Sequence, residues 1–217
     1  YQLNLAIDTL RRRPGLVVIL FFDLDDFKKV NDSYGHGVGD ALLCEASNRL
    51  KTMLRKSDIA CRFGGDEFVV MLNHLDRLEG AIRVANKILE SFVEPIHINN
   101  LRFYVSTSVG VAATDNAEIS AEDLIRHADV AMYEAKTAGG NCCRLYDADM
   151  SKLAMEKVAL ESEARDALAQ NQFSYALQPQ IELETGTLIG FEALIRWEHP
   201  ERGMVPPGQF IPVLENT

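Results

Sequence analysis

The sequence has few cysteines, few positive charges and no long apolar run, and each shortage excludes a class of protein. Its four cysteines show no CxxC spacing, so we expect reduced thiols rather than a disulfide framework or a zinc site. No apolar run approaches the roughly 20 residues that cross a membrane, and no signal peptide is recognisable. Lysine and arginine total 22 against 32 acids, a net charge of −10. That balance argues against a nucleic-acid or anionic-membrane surface, because phosphate binding needs a basic footprint.

The first two thirds of the chain alternate between apolar runs and helical patterns. "LVVILFFDLD" (16–25) is a continuous apolar run typical of a buried central strand, and it ends in acids. "DIACRF" and "EFVVML" flank Gly64–Gly65, which predicts a hairpin. "LRFYVSTSVGVAAT" (101–114) predicts one further strand, and "SAEDLIRHADVAMYEAKTAGG" predicts a helix capped by Ser120. Residues 1–147 are therefore predicted to form an α/β domain with a mixed central sheet and flanking helices.

The character of the sequence changes near Asp149. "DMSKLAMEKVALESEARDALAQN" has no glycine or proline and predicts one helix, which we assign as a linker over residues 148–171. Two strand-like runs then surround the turn at Thr185–Gly186. We expect residues 172–217 to be the opening of a second domain, because a barrel-sized domain needs at least ~200 residues.

Acidic residues gather at two places in the first domain. Asp23 ends the apolar strand, at the sheet edge where ligands bind in open α/β folds, and Asp66 and Glu67 lie at the hairpin tip. If the hairpin neighbours the strand, these carboxylates converge, and they then need a cation such as Mg²⁺ to offset their repulsion. The alternative is a tight turn at Gly64–Gly65 with solvated acids at its tip.

Longer segments carry a family resemblance. "FFDLDDFKKVNDSYGHGVGD", "RKSDIACRFGGDEFVVML", "VSTSVGVA" and "ADVAMYEAKTAGGN" occur in the order and approximate spacing of the GGDEF family, the diguanylate cyclases, which the sequence resembles over residues 3–147. The resemblance implies a nucleotidyl-cyclase-like fold and a cytoplasmic transferase of bacterial signalling, which missing N-terminal domains could tether to a membrane. It implies that two GTP molecules condense to cyclic di-GMP and two pyrophosphates across a homodimer, each subunit holding one GTP.

The resemblance also assigns the metal site. By resemblance, Asp23 and Asp66 ligate Mg²⁺ or Mn²⁺, with the carbonyl of Leu24 assisting. Glu67 would be an additional ligand, or the group that helps to deprotonate the 3′-hydroxyl. Lys136 would support catalysis as a phosphate-binding cation.

Nucleotide contacts are implied in the same way. Asn31 and Asp40 would read the guanine edge, and Lys28 would bind phosphates together with Lys136. Each has an ordinary alternative: Lys28 as a solvated lysine, Asn31 and Asp40 as helix caps. One position departs from the family, since Gly140 stands where an arginine usually precedes the asparagine of "AKxxGRN". The departure removes a cationic phosphate contact of roughly 1.5–3 kcal/mol.

"RKSD", just upstream of the hairpin, matches the family's RxxD inhibitory site. By resemblance, Arg55 and Asp58 would bind cyclic di-GMP and give product inhibition, because arginine grips phosphate bidentately and stacks on guanine. The alternative is an exposed ion pair at a helix end, which contributes little to stability.

The C-terminal segment resembles the start of the EAL family, phosphodiesterases that hydrolyse cyclic di-GMP on a TIM-barrel-like fold. The resemblance rests on "LQPQ", "GFEALIRW" and "PPGQFIP". It implies that Glu192 is a metal ligand, Arg196 a phosphate contact and Gln178 a residue on the ligand side. Further metal ligands of this family are expected beyond Thr217.

Two functions remain open on the sequence. The first is an active cyclase within a tandem GGDEF–EAL protein. The second is a GTP-binding regulatory domain that does not cyclise and instead controls the EAL domain. The intact motif, with Asp23, Asn31, Asp40 and Lys136, favours the enzyme, whereas Gly140 favours the regulator.

Overall fold

The computed structural model describes the backbone of residues 1–215, and the side chains of these except 152–158, 161, 162, 213 and 215. The chain divides into two compact units, residues 1–151 and 152–217. The first unit contains these elements: α1 (Gln2–Leu10), β1 (Leu16–Leu24), α2 (Phe27–Tyr34), α3 (His36–Met53), β2 (Ile59–Gly64), β3 (Glu67–Leu75), α4 (Leu78–Ser91), β4 (Ile96–Ile98), β5 (Leu101–Phe103), β6 (Thr107–Thr114), α5 (Ala121–Thr137) and β7 (Cys143–Leu145).

One five-stranded sheet organises this unit, in the order β2-β3-β1-β6-β7. β1 is the middle strand and runs antiparallel to both β3 and β6, whereas β7 joins β6 in parallel. The predicted mixed sheet with flanking helices is confirmed. The single strand predicted over 101–114 is wrong: β5 pairs with β4 in a separate two-stranded hairpin, and β6 begins only at Thr107, where pairing with β1 starts.

The middle strand is buried on both faces. Val18, Leu20 and Phe22 pack with residues of α3 and α4. Val17, Ile19 and Phe21 alternate with them and pack with residues of α1 and α5. Because side chains alternate along a strand, Asp23 continues the face that α5 covers.

Helix α5 approaches the sheet unusually closely at Gly110 of β6. A Cβ atom at Gly110 would overlap the carbonyl oxygen of Ala128 and the backbone nitrogen of Met132. The helix begins at the predicted cap, since Ser120 Oγ accepts a hydrogen bond from the Asp123 backbone N–H at 2.9 Å. The missing side chain at Gly110 therefore sets how near α5 lies to β1 and β6.

We expect Gly110→Ala to lower the free energy of unfolding by about 3 kcal/mol or more, because backbone atoms of α5 cannot yield as a side chain does. Urea unfolding followed by circular dichroism measures the change. Gly80→Ala is the matched control, since the nearest neighbours of its Cβ would be side-chain atoms of Leu75 and Arg83, the closest at 3.4 Å. Equal stability of the two variants would contradict this account of the helix–sheet contact.

The second unit is a small sheet with two helices. α6 (Ala148–Ala169) spans the boundary between the units, and β8 (Phe173–Ile181), β9 (Leu188–His199), β10 (Gly203–Val205) and α7 (Pro207–Glu215) follow. β8 and β9 pair antiparallel around the predicted turn, where Gly186 has φ +70°. Trp197 and Phe210 are fully buried in its core. Within residues 1–215, no helix is long and apolar enough to span a membrane.

Candidate active site

The carboxylate of Asp23 is buried at the end of β1. Asp23 is only 3% exposed, and its Oδ2 forms an ion pair with Nζ of Lys136 on α5. Its other oxygen, Oδ1, is buried and has no hydrogen-bond partner. A buried anionic oxygen without a partner is costly, so this atom suits a further cation or donor. Burial lowers the pKa of Lys136, which keeps 40% of its side chain exposed.

Glu67 lies directly beside Asp23 on the neighbouring strand β3. The two residues are Cα partners in the antiparallel register of β1 and β3, so their side chains leave the same face of the sheet. Burial raises the pKa of Glu67, and the negative charges of Asp129 and Asp66 raise it further. Burial also raises the pKa of Asp129 on α5. This end of the sheet therefore concentrates negative charge, and Lys136 pairs with one of its acids, Asp23.

Asp66 lies in the turn that joins β2 to β3, directly before Glu67, and is partly buried. The antiparallel register thus places Glu67, rather than Asp66, opposite Asp23. Among the described residues, no cluster of three or more His, Cys, Asp or Glu side chains forms a metal site alone. Mg²⁺ typically binds one or two carboxylates and completes its octahedron with water and phosphate oxygens, which these acids fit.

Asp25 is a structural anchor that the sequence did not reveal. Its carboxylate accepts hydrogen bonds from Ser106 Oγ at 2.6 Å, Ser108 Oγ at 2.7 Å and the backbone N–H of Asn141 at 3.2 Å. It thereby ties the end of β1 to the start of β6 and to the loop after α5. Its partners lie more than 80 residues away, so no local pattern could have pointed to them.

The loop held by Asp25 contains the residue that departs from the family pattern. Gly140 has φ +71°, and a Cβ there would lie 3.2 Å from Oδ2 of Asp25. A side chain at this position would therefore meet both an unfavourable backbone conformation and the anchoring carboxylate. Glycine tolerates both the backbone conformation and the approach of Asp25. It cannot make the cationic phosphate contact that the arginine usual in the family would make.

We expect Asp25→Asn to lower the free energy of unfolding by about 2 kcal/mol, because the charge is lost and an amide donor must face other donors. Asp26→Asn is the control, since its exposed carboxylate pairs only with Lys29 at 2.8 Å among the contacts of the described residues. Urea unfolding compares the two variants. A smaller loss for Asp25→Asn than for Asp26→Asn would rule out the anchor.

The predicted guanine-reading residues lie on α2 and α3. Asn31 is inside α2 and Asp40 is inside α3, whereas the N-caps are Asp26 and Gly35, so the alternative of helix caps is wrong for both. Oδ1 of Asn31 is buried without a hydrogen-bond partner. Asp40 and Lys28 are exposed. The structure thus leaves Asp40 and Lys28 accessible to a ligand, whereas Oδ1 of Asn31 is covered.

Arg55 and Asp58 form a tight turn between α3 and β2. The backbone N–H of Arg55 donates to Oδ2 of Asp58 at 3.0 Å, and the backbone N–H of Asp58 donates to the carbonyl oxygen of Arg55 at 3.0 Å. Both residues line a cavity of about 580 Å³. Its other charged lining residues are Asp76, Arg77, Glu79, Arg83 and Lys87. The cavity therefore combines four cationic and three acidic side chains with room for a ligand, unlike an isolated ion pair.

In the second unit, the strand pairing brings two predicted residues together. Gln178 of β8 and Glu192 of β9 are Cα partners, and both are exposed. Arg196 lies four residues along β9 from Glu192, hence on the same face, and its Nη1 donates to the carbonyl oxygen of Ile195 at 3.0 Å.

Comparisons with known proteins agree with these two units. The family model described as "Diguanylate cyclase, GGDEF domain" matches residues 1–142, and the EAL domain model matches residues 161–217. The chain is 37% identical over 216 residues to the bifunctional diguanylate cyclase/cyclic di-GMP phosphodiesterase MucR of Pseudomonas aeruginosa, covering 100% of this chain and 31% of that protein. It is 34% identical over 209 residues to the cyclic di-GMP phosphodiesterase NbdA of the same organism, covering 96% and 27%.

A solved structure shows the same fold. The GGDEF domain of YfiN (TpbB) from Pseudomonas aeruginosa superimposes with a TM-score of 0.63 at 33% identity, covering 67% of this chain and 91% of that chain. The chain spans less than a third of the length of the two curated relatives.

Proposed function

Because this chain belongs to the GGDEF family and continues into the start of an EAL domain, we propose that its first unit is a diguanylate cyclase. It condenses two GTP molecules to cyclic di-GMP and releases two pyrophosphates. One observation carries the proposal: the buried Asp23 carboxylate, paired with Lys136 and opposite Glu67, keeps an oxygen without a partner. The name of the relative MucR includes the same activity.

The acids of this site suit a divalent cation, Mg²⁺ or Mn²⁺, held by Asp23 and Asp66 with the Leu24 carbonyl. Such a cation neutralises triphosphate charge and stabilises the developing charge of phosphoryl transfer. We propose that Glu67, whose pKa is raised by burial and by neighbouring acids, accepts the proton of the attacking 3′-hydroxyl or completes the ligand set.

The chain's other polar groups position the substrate. Lys28 and Lys136 bind phosphate oxygens, and Lys136 exchanges part of its pairing with Asp23 for them. Asn31 and Asp40 accept hydrogen bonds from the N1–H and 2-amino groups of guanine. Adenine offers neither group on that edge, so these acceptors select GTP.

Each subunit holds one GTP, so the reaction requires two copies of this unit. A homodimer brings the 3′-hydroxyl of one nucleotide in line with the α-phosphorus of the other. Holding both substrates in this geometry replaces a rare encounter with a nearly intramolecular step.

The second candidate is a GTP-binding domain that does not cyclise and regulates the EAL domain. Gly140, which lacks the cationic side chain typical of the family, is the observation that favours it. The relative NbdA carries the name of a phosphodiesterase only. GTP bound without any cyclic di-GMP formed, at concentrations that support dimers, would select this candidate.

We also propose a ligand role for the second unit. Gln178, Glu192 and Arg196 share the paired strands β8 and β9, as expected for the ligand-facing side of a cyclic di-GMP phosphodiesterase. Glu192 would hold a metal ion, and Arg196 would contact phosphate.

We expect Asp66→Asn to lower cyclic di-GMP synthesis by about 10²-fold or more, because the amide cannot offset the charge of a cation. Incubation with GTP and Mg²⁺ and chromatographic separation of the nucleotides measures turnover. Asp115→Asn changes an exposed acid in the loop after β6 and serves as the control. Full turnover by Asp66→Asn would refute the metal role of Asp66.

We propose that the cavity beside Arg55 and Asp58 binds cyclic di-GMP and inhibits synthesis. Arg55→Ala removes a guanidinium that grips phosphate, so the product concentration that halves the rate should rise by about tenfold or more. Lys56→Ala, the adjacent lysine outside the cavity lining, is the control. Unchanged product inhibition of Arg55→Ala would exclude this site.

A further inference from the structure

We propose that Arg62 is a positioning residue for Asp66: its guanidinium holds the peptide group between Gly65 and Asp66 in one orientation, and thereby fixes where the Asp66 carboxylate lies. The inference rests on the proposed metal role of Asp66 in GTP binding. It assigns a task to an arginine that the proposed mechanism leaves unused.

The guanidinium of Arg62 reaches the hairpin turn. Its Nε–H donates a hydrogen bond to the carbonyl oxygen of Gly65 at 2.6 Å. Because the peptide group is planar, a fixed carbonyl oxygen also fixes the N–H of Asp66 and the direction in which the chain continues. A charged donor makes such a bond roughly twice as strong as a neutral one. The bond therefore acts on the peptide that directly precedes the proposed metal ligand.

The turn has two accessible forms. Gly64 and Glu67 are cross-strand partners, and the loop between them consists of Gly65 and Asp66. Two-residue hairpins favour types I′ and II′, which differ by a rotation of the peptide group between the two central residues. Gly65 has φ +45°, and Asp66 is not among the described residues with positive φ, which corresponds to type II′. A glycine followed by an aspartate suits both types, so the bond from Arg62 favours one of them.

The backbone of Arg62 is fixed by the core. Its Cα partner on β3 is Phe68, which is buried and stacks on Phe22 of β1 with 5.4 Å between the ring centroids. The register shifts between Arg62 and Gly64, where Phe63 is an extra residue on β2. Such a bulge interrupts the ladder of backbone hydrogen bonds. The arginine therefore connects a fixed point of the sheet to a turn that the bulge leaves less constrained.

General stabilisation of the hairpin and a simple charge effect are the competing explanations. Arg62 is exposed, so its substitution should alter the melting temperature little. A positive charge near bound phosphates would favour the nucleotide with or without a particular hydrogen bond. A positioning role instead requires the N–H donor, and it has no effect once Asp66 can no longer bind a cation.

Two substitutions separate the donor from the charge. Arg62→Gln loses the charge but keeps an N–H donor at the same number of bonds from the backbone as Nε. Arg62→Met removes both the charge and the donor, and it keeps an unbranched chain. Arg102→Met changes an exposed arginine of β5 and is the control for the loss of one surface charge.

The measurement is calorimetric titration of the full chain with 3′-deoxy-GTP, which lacks the attacking hydroxyl and therefore binds without turnover. Each variant is titrated in Mg²⁺ and again in EDTA, and the two affinities are compared. Arg62→Met is also made in the Asp66→Asn background. Melting temperatures are recorded for every variant.

In Mg²⁺, we expect Arg62→Met to weaken binding about tenfold or more, the value of one hydrogen bond from a charged group. Arg62→Gln should stay within about threefold of the unaltered chain, because it retains the donor. In EDTA, and in the Asp66→Asn background, Arg62→Met should change the affinity less than about twofold. Arg102→Met should bind like the unaltered chain, and the arginine variants should melt close to it.

Four results would overturn the inference. Equal losses for Arg62→Gln and Arg62→Met would assign the effect to charge. A loss that persists in EDTA or in the Asp66→Asn background would show that Arg62 acts without Asp66. Unchanged binding by Arg62→Met, beside an unaltered chain that binds, would show that the turn keeps its form without the arginine. An unaltered chain that fails to bind 3′-deoxy-GTP would refute the proposed function, and this inference with it.

Discussion

A single buried carboxylate constrains the first unit. Asp23 is 3% exposed at the end of the middle strand, and the transfer of an unpaired carboxylate from water would cost several kcal/mol. The ion pair with Lys136 offsets part of that cost, and it requires the last turns of α5 to lie against the sheet. Gly110 permits this approach, and Asp25 fastens the loop that follows the helix. Both features support the position of one lysine.

Glycine shapes the site by the space it leaves as much as by the turns it allows. The hairpin glycines Gly64 and Gly65 attract attention in the sequence, and Gly65 has φ +45° as a turn requires. Gly39 and Gly110 lie inside regular elements, where nothing in the local pattern requires them. Each of these two faces an atom of a different element, so its role follows from tertiary packing alone.

The sequence predicted those features that depend on local pattern. The apolar run of β1, the hairpin around Gly64–Gly65 and the Ser120 cap of α5 were all confirmed. The division of residues 101–114 into β5 and β6 was missed. β5 pairs with β4 through a local turn at Asn99–Asn100, which the sequence could have indicated, whereas the pairing of β6 with β1 joins residues far apart in the chain. The caps suggested for Asn31 and Asp40 were wrong, since α2 begins at Phe27 and α3 at His36, so that both residues lie inside a helix.

The register of the hairpin could not be read from the sequence either, and it bears on mechanism. The motif places Asp66 and Glu67 side by side in the chain, but only the β1–β3 register shows that Glu67 is the partner of Asp23. The prediction that Asp66 ligates the metal is untested by this geometry. Glu67 is half-buried at the start of β3, and burial together with the charges of Asp129 and Asp66 raises its pKa, unlike the pKa of an acid in a solvated turn. The alternative of solvated acids at a plain turn therefore fits Glu67 poorly.

The same hairpin connects the two proposed nucleotide sites. β3 begins at Glu67, beside Asp23, and ends at Leu75, which lines the cavity that contains Arg55 and Asp58. β2 follows Asp58 directly and leads back to the turn at Asp66. The cavity thus lies at the open end of a two-stranded ribbon, where β2 begins and β3 ends, and the tip at the other end carries the proposed catalytic acids. Backbone hydrogen bonds join β2 to β3 along the ribbon, so the product binding proposed above would act on the acids through the hairpin itself, without a separate regulatory element. The alternative route, in which bound product holds two copies apart, would leave the hairpin unchanged, so the environment of Glu67 distinguishes the two mechanisms.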